Sequence, residues 1–290
     1  MEEKILFVVN PAAGGKDKAL FWTSLQEALS ARPFDYSTFS TTGEDDMQQL
    51  RHLLGTQAFT RVIVVGGDGT VRMAAELLLN QPTALGIIPM GSANGLAREL
   101  GIPNHPRDAL RVALGPQTTQ IDTIQIDQHG LCVHLSDLGM NAILVEHYAA
   151  EKLRGMWGYA RVFMKTVVKR RRFRVSLDEE HMHLYRNVYM LMLANARMYG
   201  TGAVVNPTGS MRDGYFEVIL LKDFRWWDLP RLFFPRRRPR LEREEVVSVK
   251  SISVACNRPV HFQMDGEYRG KVTRLRAAIN PQGLRVLVPR

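Results

Sequence analysis

Between residues 62 and 78 the chain runs Val62-Ile63-Val64-Val65, then Gly66-Gly67-Asp68-Gly69-Thr70, then an apolar pattern at Val71, Ala74, Ala75 and Leu78. An unbroken apolar run, a glycine turn and a helical period read as a buried strand, a tight turn and a helix start. That order commits this stretch to a βα unit of a parallel sheet with helices on its faces. Glycines let backbone N–H groups approach a ligand with no Cβ in the way, and the helix start adds partial positive charge, which suits phosphate. Asp68 would repel a polyphosphate unless a cation lay between them, so its carboxylate points to Mg²⁺ held with a nucleotide. A plain βα turn with Asp68 capping its own helix is the alternative.

The same alternation runs through the first part of the chain. Strands are predicted at Ile5–Val9, Phe34–Ser40, Arg61–Val65 and Ala84–Ile88, with helices at Ala19–Ala31, Asp45–Leu54 and Val71–Leu79. From Thr119 the pattern becomes a series of short strands: Thr123–Asp127, Leu131–Leu135, Arg174–Leu177, Val188–Leu193, Phe216–Leu221, Ser251–Ala255, Val260–Met264 and Arg285–Val288. Such a series suggests an antiparallel sandwich or barrel, interrupted by a helix around Glu146–Lys169. The predicted fold class is therefore α/β, with an N-terminal, mostly parallel α/β nucleotide-binding domain over residues 1–120. A C-terminal antiparallel β-rich sandwich or barrel domain follows over residues 121–290, its last ~15 residues able to pack back on the first domain. A length of 290 residues accommodates two domains.

Composition narrows the partners. With 38 Lys and Arg against 29 Asp and Glu, the net charge of +9 favours an anionic partner: nucleic acid, phosphometabolite or membrane surface. No helix-turn-helix, zinc or RNA-binding signature accompanies the charge, so nucleic acid is not expected. No apolar run is long enough to span a bilayer, and the acidic start into Ile5–Val9 suits a first strand better than a signal peptide, so a cytoplasmic location is expected. Cys132 and Cys256, far apart in strand-like segments, read as buried free thiols.

Two more loops match the first in kind. Asn10-Pro11-Ala12-Ala13-Gly14-Gly15-Lys16 ends the first strand with small residues that can approach phosphates, Lys16 adding charge. It is not a Walker A loop, because the upstream glycine is missing and Asp17 stands in place of Ser or Thr. Pro89-Met90-Gly91-Ser92-Ala93-Asn94-Gly95 follows the fourth strand and offers Ser92 and Asn94 to a nucleotide, or simply caps a helix. Three such loops at strand ends of one sheet predict a shared crevice.

These motifs resemble the diacylglycerol kinase catalytic-domain family, which includes bacterial lipid kinases and the sphingosine and ceramide kinases. Later marks of that family follow in order: Asp122, an Asp137-Leu138-Gly139 turn, Asn195 with Gly200 and Gly202, Asp213-Gly214, and Asp265-Gly266-Glu267. The resemblance implies ATP and Mg²⁺ in a cleft between the two domains. It implies phosphate or nucleotide contacts from Asn10, Pro11, Ala12, Ala13, Gly14, Thr41, Gly66, Gly67, Asp68, Gly69, Thr70, Val71, Gly91, Ser92 and Asn94. Asp68 and Asp122 would engage the catalytic Mg²⁺, and Glu267 would accept the proton of a lipid hydroxyl. Ser210, Asp213 and Tyr215 correspond to a second, structural Mg²⁺ site, although Asp213-Gly214 and Asp265-Gly266 also read as plain β-turns. Gly95 departs from the aspartate of many bacterial members, and the three-glycine run is reduced to Gly200-Thr201-Gly202.

The implied activity is transfer of the γ-phosphate of ATP to a hydroxyl of diacylglycerol or a similar lipid, a sphingoid base included. An NAD kinase-like enzyme and a non-catalytic lipid-binding protein are the alternatives. For attachment to an anionic membrane surface, Trp226, Trp227, Phe233 and Phe234 beside Arg236, Arg237 and Arg238 have a suitable composition, and a buried aromatic cluster with a solvated turn is the other reading of them. Peripheral membrane association follows from the first reading. Oligomeric state is left open, a homodimer among the options.

Overall fold

A computed structural model of the chain describes residues 4–13, 17–31, 34–140, 142–143, 171–179, 182–198, 204–223 and 244–290. They form two compact units, one from residues up to Asp122 together with Pro281–Arg290, the other from residues between Thr123 and Asn280. The predicted helix around residues 146–169, the glycines at 200 and 202 and the aromatic and arginine cluster at 226–240 lie outside the described residues.

The first unit alternates strands and helices: β1 (Lys4–Val9), α1 (Asp17–Ala31), β2 (Asp35–Ser40), α2 (Asp46–Thr56), β3 (Arg61–Gly66), α3 (Asp68–Leu77), β4 (Ala84–Pro89), α4 (Gly95–Glu99) and α5 (Pro106–Ala113). The strands lie in the order β2-β1-β3-β4, all parallel. β1, β3 and β4 are buried almost end to end, because a parallel sheet is covered on both faces, whereas the edge strand β2 is mostly part-exposed. α3 turns Thr70, Val71, Ala74 and Ala75 inward, a stripe of small and β-branched residues that lets it sit close to the sheet. α5 starts on Pro106, whose missing N–H would have had no helical partner, and packs on β4 and α1. Arg61 then ties off its far end, donating to the carbonyls of Ala113 and Gly115 at 2.9 and 2.8 Å.

Strand order reverses between β1 and β3, since β1 is followed by β2 on one side and by the later strands on the other. In doubly wound sheets such a reversal splays the loops at the strand C-termini and opens a crevice there.

The second unit is antiparallel. Its strands are β5 (Thr118–Ile126), β6 (Gly130–Cys132), β7 (Leu135–Gly139), β8 (Phe173–Glu179), β9 (Met182–Val188), β10 (Met190–Ala194), β11 (Phe216–Leu221), β12 (Glu244–Val249), β13 (Ser251–Met264) and β14 (Glu267–Leu287), with β5 and β14 each containing one of the two divisions between units. β13 organises it. Its first half pairs with β8, its last three residues pair with β7, and β14 lies along its other edge, with the register breaking between Ala255 and Val260. Outward from β7 follow β10, β11 and β12. β10 is buried on both faces: Leu191 and Leu193 enter the larger core with Leu138, Phe216, Val218 and Phe262, while Met190, Met192 and Ala194 enter a second cluster with Leu135, Ile219 and Leu221.

Several predicted elements need correction. Val188–Leu193 is not one strand but the end of β9, a bend at Tyr189 and the start of β10, two strands whose apolar residues merge in the sequence. Leu131–Leu135 divides likewise between β6 and β7. Asp137-Leu138-Gly139 is no turn: these residues complete β7, buried on both faces and paired with β10 and β13. β13 fuses two predicted strands. β9, β12, α4, α5 and most of β14 carry too much polar surface or are too short to declare themselves. Both cysteines are free, but only Cys132 is fully buried.

The chain returns to the first unit through the end of β14. Val286 pairs in parallel with Leu85 of β4, the Asn80 N–H donates to the Gly283 carbonyl at 2.7 Å, and Leu284, Val286 and Leu287 are all buried. A Leu284→Ala variant removes a fully buried side chain and should cost about 2–5 kcal/mol, read as a lower urea midpoint. A midpoint equal to that of the unsubstituted protein would mean that this segment adds nothing to the core.

Candidate functional site

The loops that leave β1, β3 and β4 are joined by hydrogen bonds. Backbone bonds come first: the Asn10 N–H donates to the Val65 carbonyl at 3.0 Å and the Met90 N–H to the Gly66 carbonyl at 2.8 Å, extending the sheet past its strand ends. Side chains follow. Asn10 Nδ2 donates to Thr70 Oγ1 at 3.3 Å, and Asn10 Oδ1 accepts from the Ala12 N–H at 2.9 Å, holding the β1 loop against the first turn of α3. Gly67 and Gly91 meet face to face, so close that a Cβ on Gly91 would lie 2.6 Å from the Gly67 Cα. Contact between the loops requires glycine at 91 and leaves a side chain at 67 tight, its Cβ 3.1 Å from the Gly91 Cα.

Asp68 closes the arrangement. It is the first residue of α3, whose cap position is Gly67, so it does not cap its own helix from that position. Its Oδ2 instead accepts from the Asn94 N–H at 2.9 Å and its Oδ1 from the Gly95 N–H at 2.7 Å. A short helix leaves its first N–H groups without partners, and one carboxylate from the first turn of α3 supplies them. Asn94 is thereby free to fold its amide back on Gly91, accepting from the Gly91 N–H and donating to its carbonyl, both at 2.8 Å, in a left-handed backbone conformation with φ +53°. Burial pushes the Asp68 carboxyl above its ordinary value while the amides of Gly95 and Asn94 pull the other way.

Of the remaining predicted contacts, Thr41 is buried with its N–H on the Val9 carbonyl at 2.9 Å, Val71 is core, and Pro11, Ala12 and Ser92 face solvent at the loop tips. Ala13 and Gly69 are half-buried; Gly14 lies outside the described residues, with Gly15 and Lys16. Besides Asn94 and Gly95, the N–H groups of Leu96 and of Asp68 itself favour the charged Asp68 carboxylate. Among the described residues no group of three or more His, Cys, Asp or Glu could hold a metal. A caged ion is therefore not what this loop cluster offers; an Mg²⁺ that keeps its waters and takes one carboxylate beside phosphates fits it. Asp122 is fully buried, and its Oδ1 accepts from the N–H of Gln282 at 2.7 Å where β14 passes through a left-handed residue, φ +53°.

In the second unit Asp265 and Gly266 form a two-residue turn between β13 and β14 with φ +50° and +81°, and Met264 pairs with Glu267 across it. This is the type I′ geometry that such hairpins favour. Asp265 nevertheless points inward and is only 9% exposed. Its Oδ2 accepts from the Val133 N–H at 3.0 Å, and its Oδ1 from the N–H groups of His134 and Leu135 at 2.9 and 3.2 Å, with Cys132 Sγ 3.5 Å away. Glu267, the next residue but one, has a side chain 43% exposed, with Arg269 donating to its Oε2 at 2.6 Å. Ser210, Asp213 and Tyr215 share one turn: the Arg212 N–H donates to Ser210 Oγ at 3.2 Å and the Tyr215 N–H to Asp213 Oδ1 at 3.1 Å.

The sequence did not point to Glu217, buried on β11 with Asn206 and Ser248 donating to it, its carboxyl pushed up by burial and by the charge of Asp213. A single charge inside the apolar run Phe216–Leu221 was the available signal. Gln263 was also missed; its Oε1 accepts from the Gly266 N–H at 2.8 Å while its Nε2 donates to Asp137.

Comparison with known proteins adds the following. Residues 4–126 match the family model of the diacylglycerol kinase catalytic domain, and residues 138–288 match that of the YegS C-terminal NAD kinase beta sandwich-like domain. A curated diacylglycerol kinase of Mycobacterium tuberculosis is 28% identical over 264 residues, covering 84% of this chain and 83% of that protein. Another, of Staphylococcus saprophyticus, is 27% identical over 287 residues, covering 94% and 91%. A crystal structure of a Bacillus anthracis protein matches with a TM-score of 0.82 at 22% identity over 99% of this chain and 98% of its own, a likeness of fold.

The turn at Val133–Leu135 brings together two groups that titrate in opposite senses. Burial pushes the Asp265 carboxyl up to about 6, against its three backbone donors, and burial pulls the His134 imidazole down to about 4. Asp265 binds its proton more readily folded than unfolded, so its contribution to stability is full below its ordinary value of 3.8 and is lost as pH rises through about 6. His134 behaves oppositely: its contribution is present above its ordinary 6.5 and is lost as pH falls through about 4. Between those limits the two oppose each other in the native protein. An Asp265→Asn variant should therefore lose urea stability more steeply than the unsubstituted protein on acidification from pH 6.5 to 4; equal slopes would refute the assignment.

Proposed function

Because the chain belongs to the family that joins a diacylglycerol kinase catalytic domain to a YegS C-terminal NAD kinase beta sandwich-like domain, we propose that it is an ATP- and Mg²⁺-dependent lipid kinase. It phosphorylates a hydroxyl of diacylglycerol or a similar lipid. The observation that supports this best is the bonding of three strand-end loops, through Asn10 to Thr70, Gly67 to Gly91 and Asp68 to Asn94 and Gly95, at the point where strand order reverses.

In this reading the loops of small residues at Asn10–Gly14, Gly66–Val71 and Gly91–Asn94 take the phosphates of ATP on backbone N–H groups, with Thr41 and Ser92 as further contacts. Their mutual bonding matters because phosphoryl transfer depends on positioning and on charge stabilisation more than on covalent help from the protein. Asp68 would hold Mg²⁺ by its carboxylate and Asp122 would engage the ion through water; when bound, the ion neutralises charge on the phosphates. Ser210, Asp213 and Tyr215 would hold a second ion as a structural brace.

Glu267 is the proton acceptor. As the lipid hydroxyl oxygen bonds to the γ-phosphorus, its proton passes to a Glu267 carboxylate oxygen and the bond to the departing ADP oxygen breaks. Arg269, donating to Glu267 Oε2, limits the rotamers of that carboxylate. Attachment to an anionic surface is assigned to Trp226, Trp227, Phe233 and Phe234 with Arg236, Arg237 and Arg238; no helix among the described residues is long and apolar enough to cross a membrane.

Purified protein given ATP, Mg²⁺ and mixed-micelle lipids should transfer labelled phosphate to lipid. Glu267→Gln should lower transfer by about 10²–10⁴-fold while ATP binding stays intact, and Asp68→Ala should abolish Mg²⁺-dependent transfer. Phosphorylation of NAD with none of lipid would decide for the other kinase chemistry, and ATP binding without turnover on any lipid would decide for a binding protein. On vesicles rich in anionic lipid, replacing Arg236, Arg237 and Arg238 by Ala should weaken co-sedimentation by about 1 kcal/mol for each arginine; unchanged binding at low salt would remove that cluster from the membrane contact.

A further inference from the structure

We propose that Asp265 is a positioning residue for the transfer reaction: by gathering the backbone N–H groups of Val133, His134 and Leu135 on its carboxylate, it fixes the tip of the β13–β14 hairpin and so the placement of Glu267. The inference rests on the lipid kinase reading for the role of Glu267 and on hydrogen bonds for its own part.

Two-residue hairpin turns are normally the most solvent-exposed points of a sheet, and Asp is favoured in them for its tolerance of positive φ. Backbone geometry here needs no more than that, and Asn or Gly would serve it. Asp265 goes further, burying its carboxylate and meeting four donors, three backbone N–H groups and the Cys132 thiol. An ionised carboxylate is the only side chain of this size that accepts at every site and donates at none. No cation is paired with it among the described residues, so three peptide dipoles and the Cys132 thiol carry the charge. Burying a charge on those terms costs stability, and local features that cost stability collect where placement matters.

The rest of the turn is held in the same way. The Asp265 N–H donates back to the Leu135 carbonyl at 2.9 Å, so residue and loop grip each other from both sides. The Gly266 N–H donates to Gln263 Oε1, and Gln263 is in turn anchored to Asp137 on β7. Both turn residues are thus tied to buried parts of the second unit, and Glu267 follows them directly in register with Met264. Little is left to vary except the side-chain torsions of Glu267, and Arg269 restrains those. A displacement of about 1 Å in a reacting group can cost on the order of a hundredfold in rate.

The test compares the unsubstituted protein with Asp265→Asn, in which the amide nitrogen must face a backbone N–H. Turnover is counted per ATP-binding site, so that a loss of folded protein does not register as a loss of kcat. Expected are a kcat lower by about tenfold to a hundredfold, a KM for ATP within about twofold, and faster amide hydrogen exchange at Val133, His134, Leu135 and Glu267. A kcat within about twofold of the unsubstituted protein, or unchanged exchange at those four amides, overturns the proposal. Should Asp265→Asn fail to fold, Gln263→Met removes the brace on Gly266 and is expected to shift kcat and exchange in the same direction, and the absence of either shift overturns the proposal equally. If the unsubstituted protein phosphorylates no lipid, the lipid kinase reading falls, while the exchange comparison still decides whether Asp265 holds the hairpin.

Discussion

The loop after β4 is tied to α3 by one half-buried carboxylate, Asp68. Without Asp68, the N–H groups of Asn94 and Gly95 at the start of α4 lose their acceptors. Hydrogen bonds to a charged acceptor contribute about 1.5–3 kcal/mol each, and these two tie α3 to α4 across chain segments far apart in sequence. The carboxylate is an element of loop architecture before it is a partner for any ion.

The same device recurs. Asp122 takes the N–H of Gln282 where β14 passes through a left-handed residue, and Asp265 takes three N–H groups in the β6–β7 turn. All three aspartates belong to motifs usually read as chemistry, and in all three the visible work is the capture of backbone donors that a bend or a helix start would leave unmatched. The two roles are compatible, since a carboxylate has about four acceptor sites. A group fixed by backbone amides is also already oriented when a ligand arrives, and the ordering cost is met during folding and not during turnover.

The α/β half of the fold was legible because its strands are continuous apolar runs and its loops are glycine punctuation: β1, β3 and β4 fall where the pattern places them. The second unit was less so. Strands buried on both faces, such as β10, lose the alternation that marks a strand edge to edge, and adjacent ones run together; β9 and β12, with polar outer faces, hardly register. At the site, Asn10, Gly67, Asp68, Gly91 and Asn94 could be singled out by residue type and position. Their bonding could not, because it depends on which loops the sheet order makes neighbours. Sequence also hides the inward turn of Asp265, since Asp-Gly between alternating residues looks the same whether its side chain faces water or protein.

β14 runs unbroken for 21 residues, beginning at the Glu267 hairpin and ending beside β4. Residues up to Asp122 and those from Pro281 onward therefore close one sheet from two widely separated stretches of chain. On the ribosome, β4 must wait for Val286 until the whole second unit has been made, on the order of ten seconds at ordinary elongation rates. During that interval an apolar parallel edge is left open, and the long loop closure it requires makes this step a slow one for the nascent chain. Residues translated only after the whole second unit are thus the ones that release the first unit from its dependence on whatever shields that edge in the meantime.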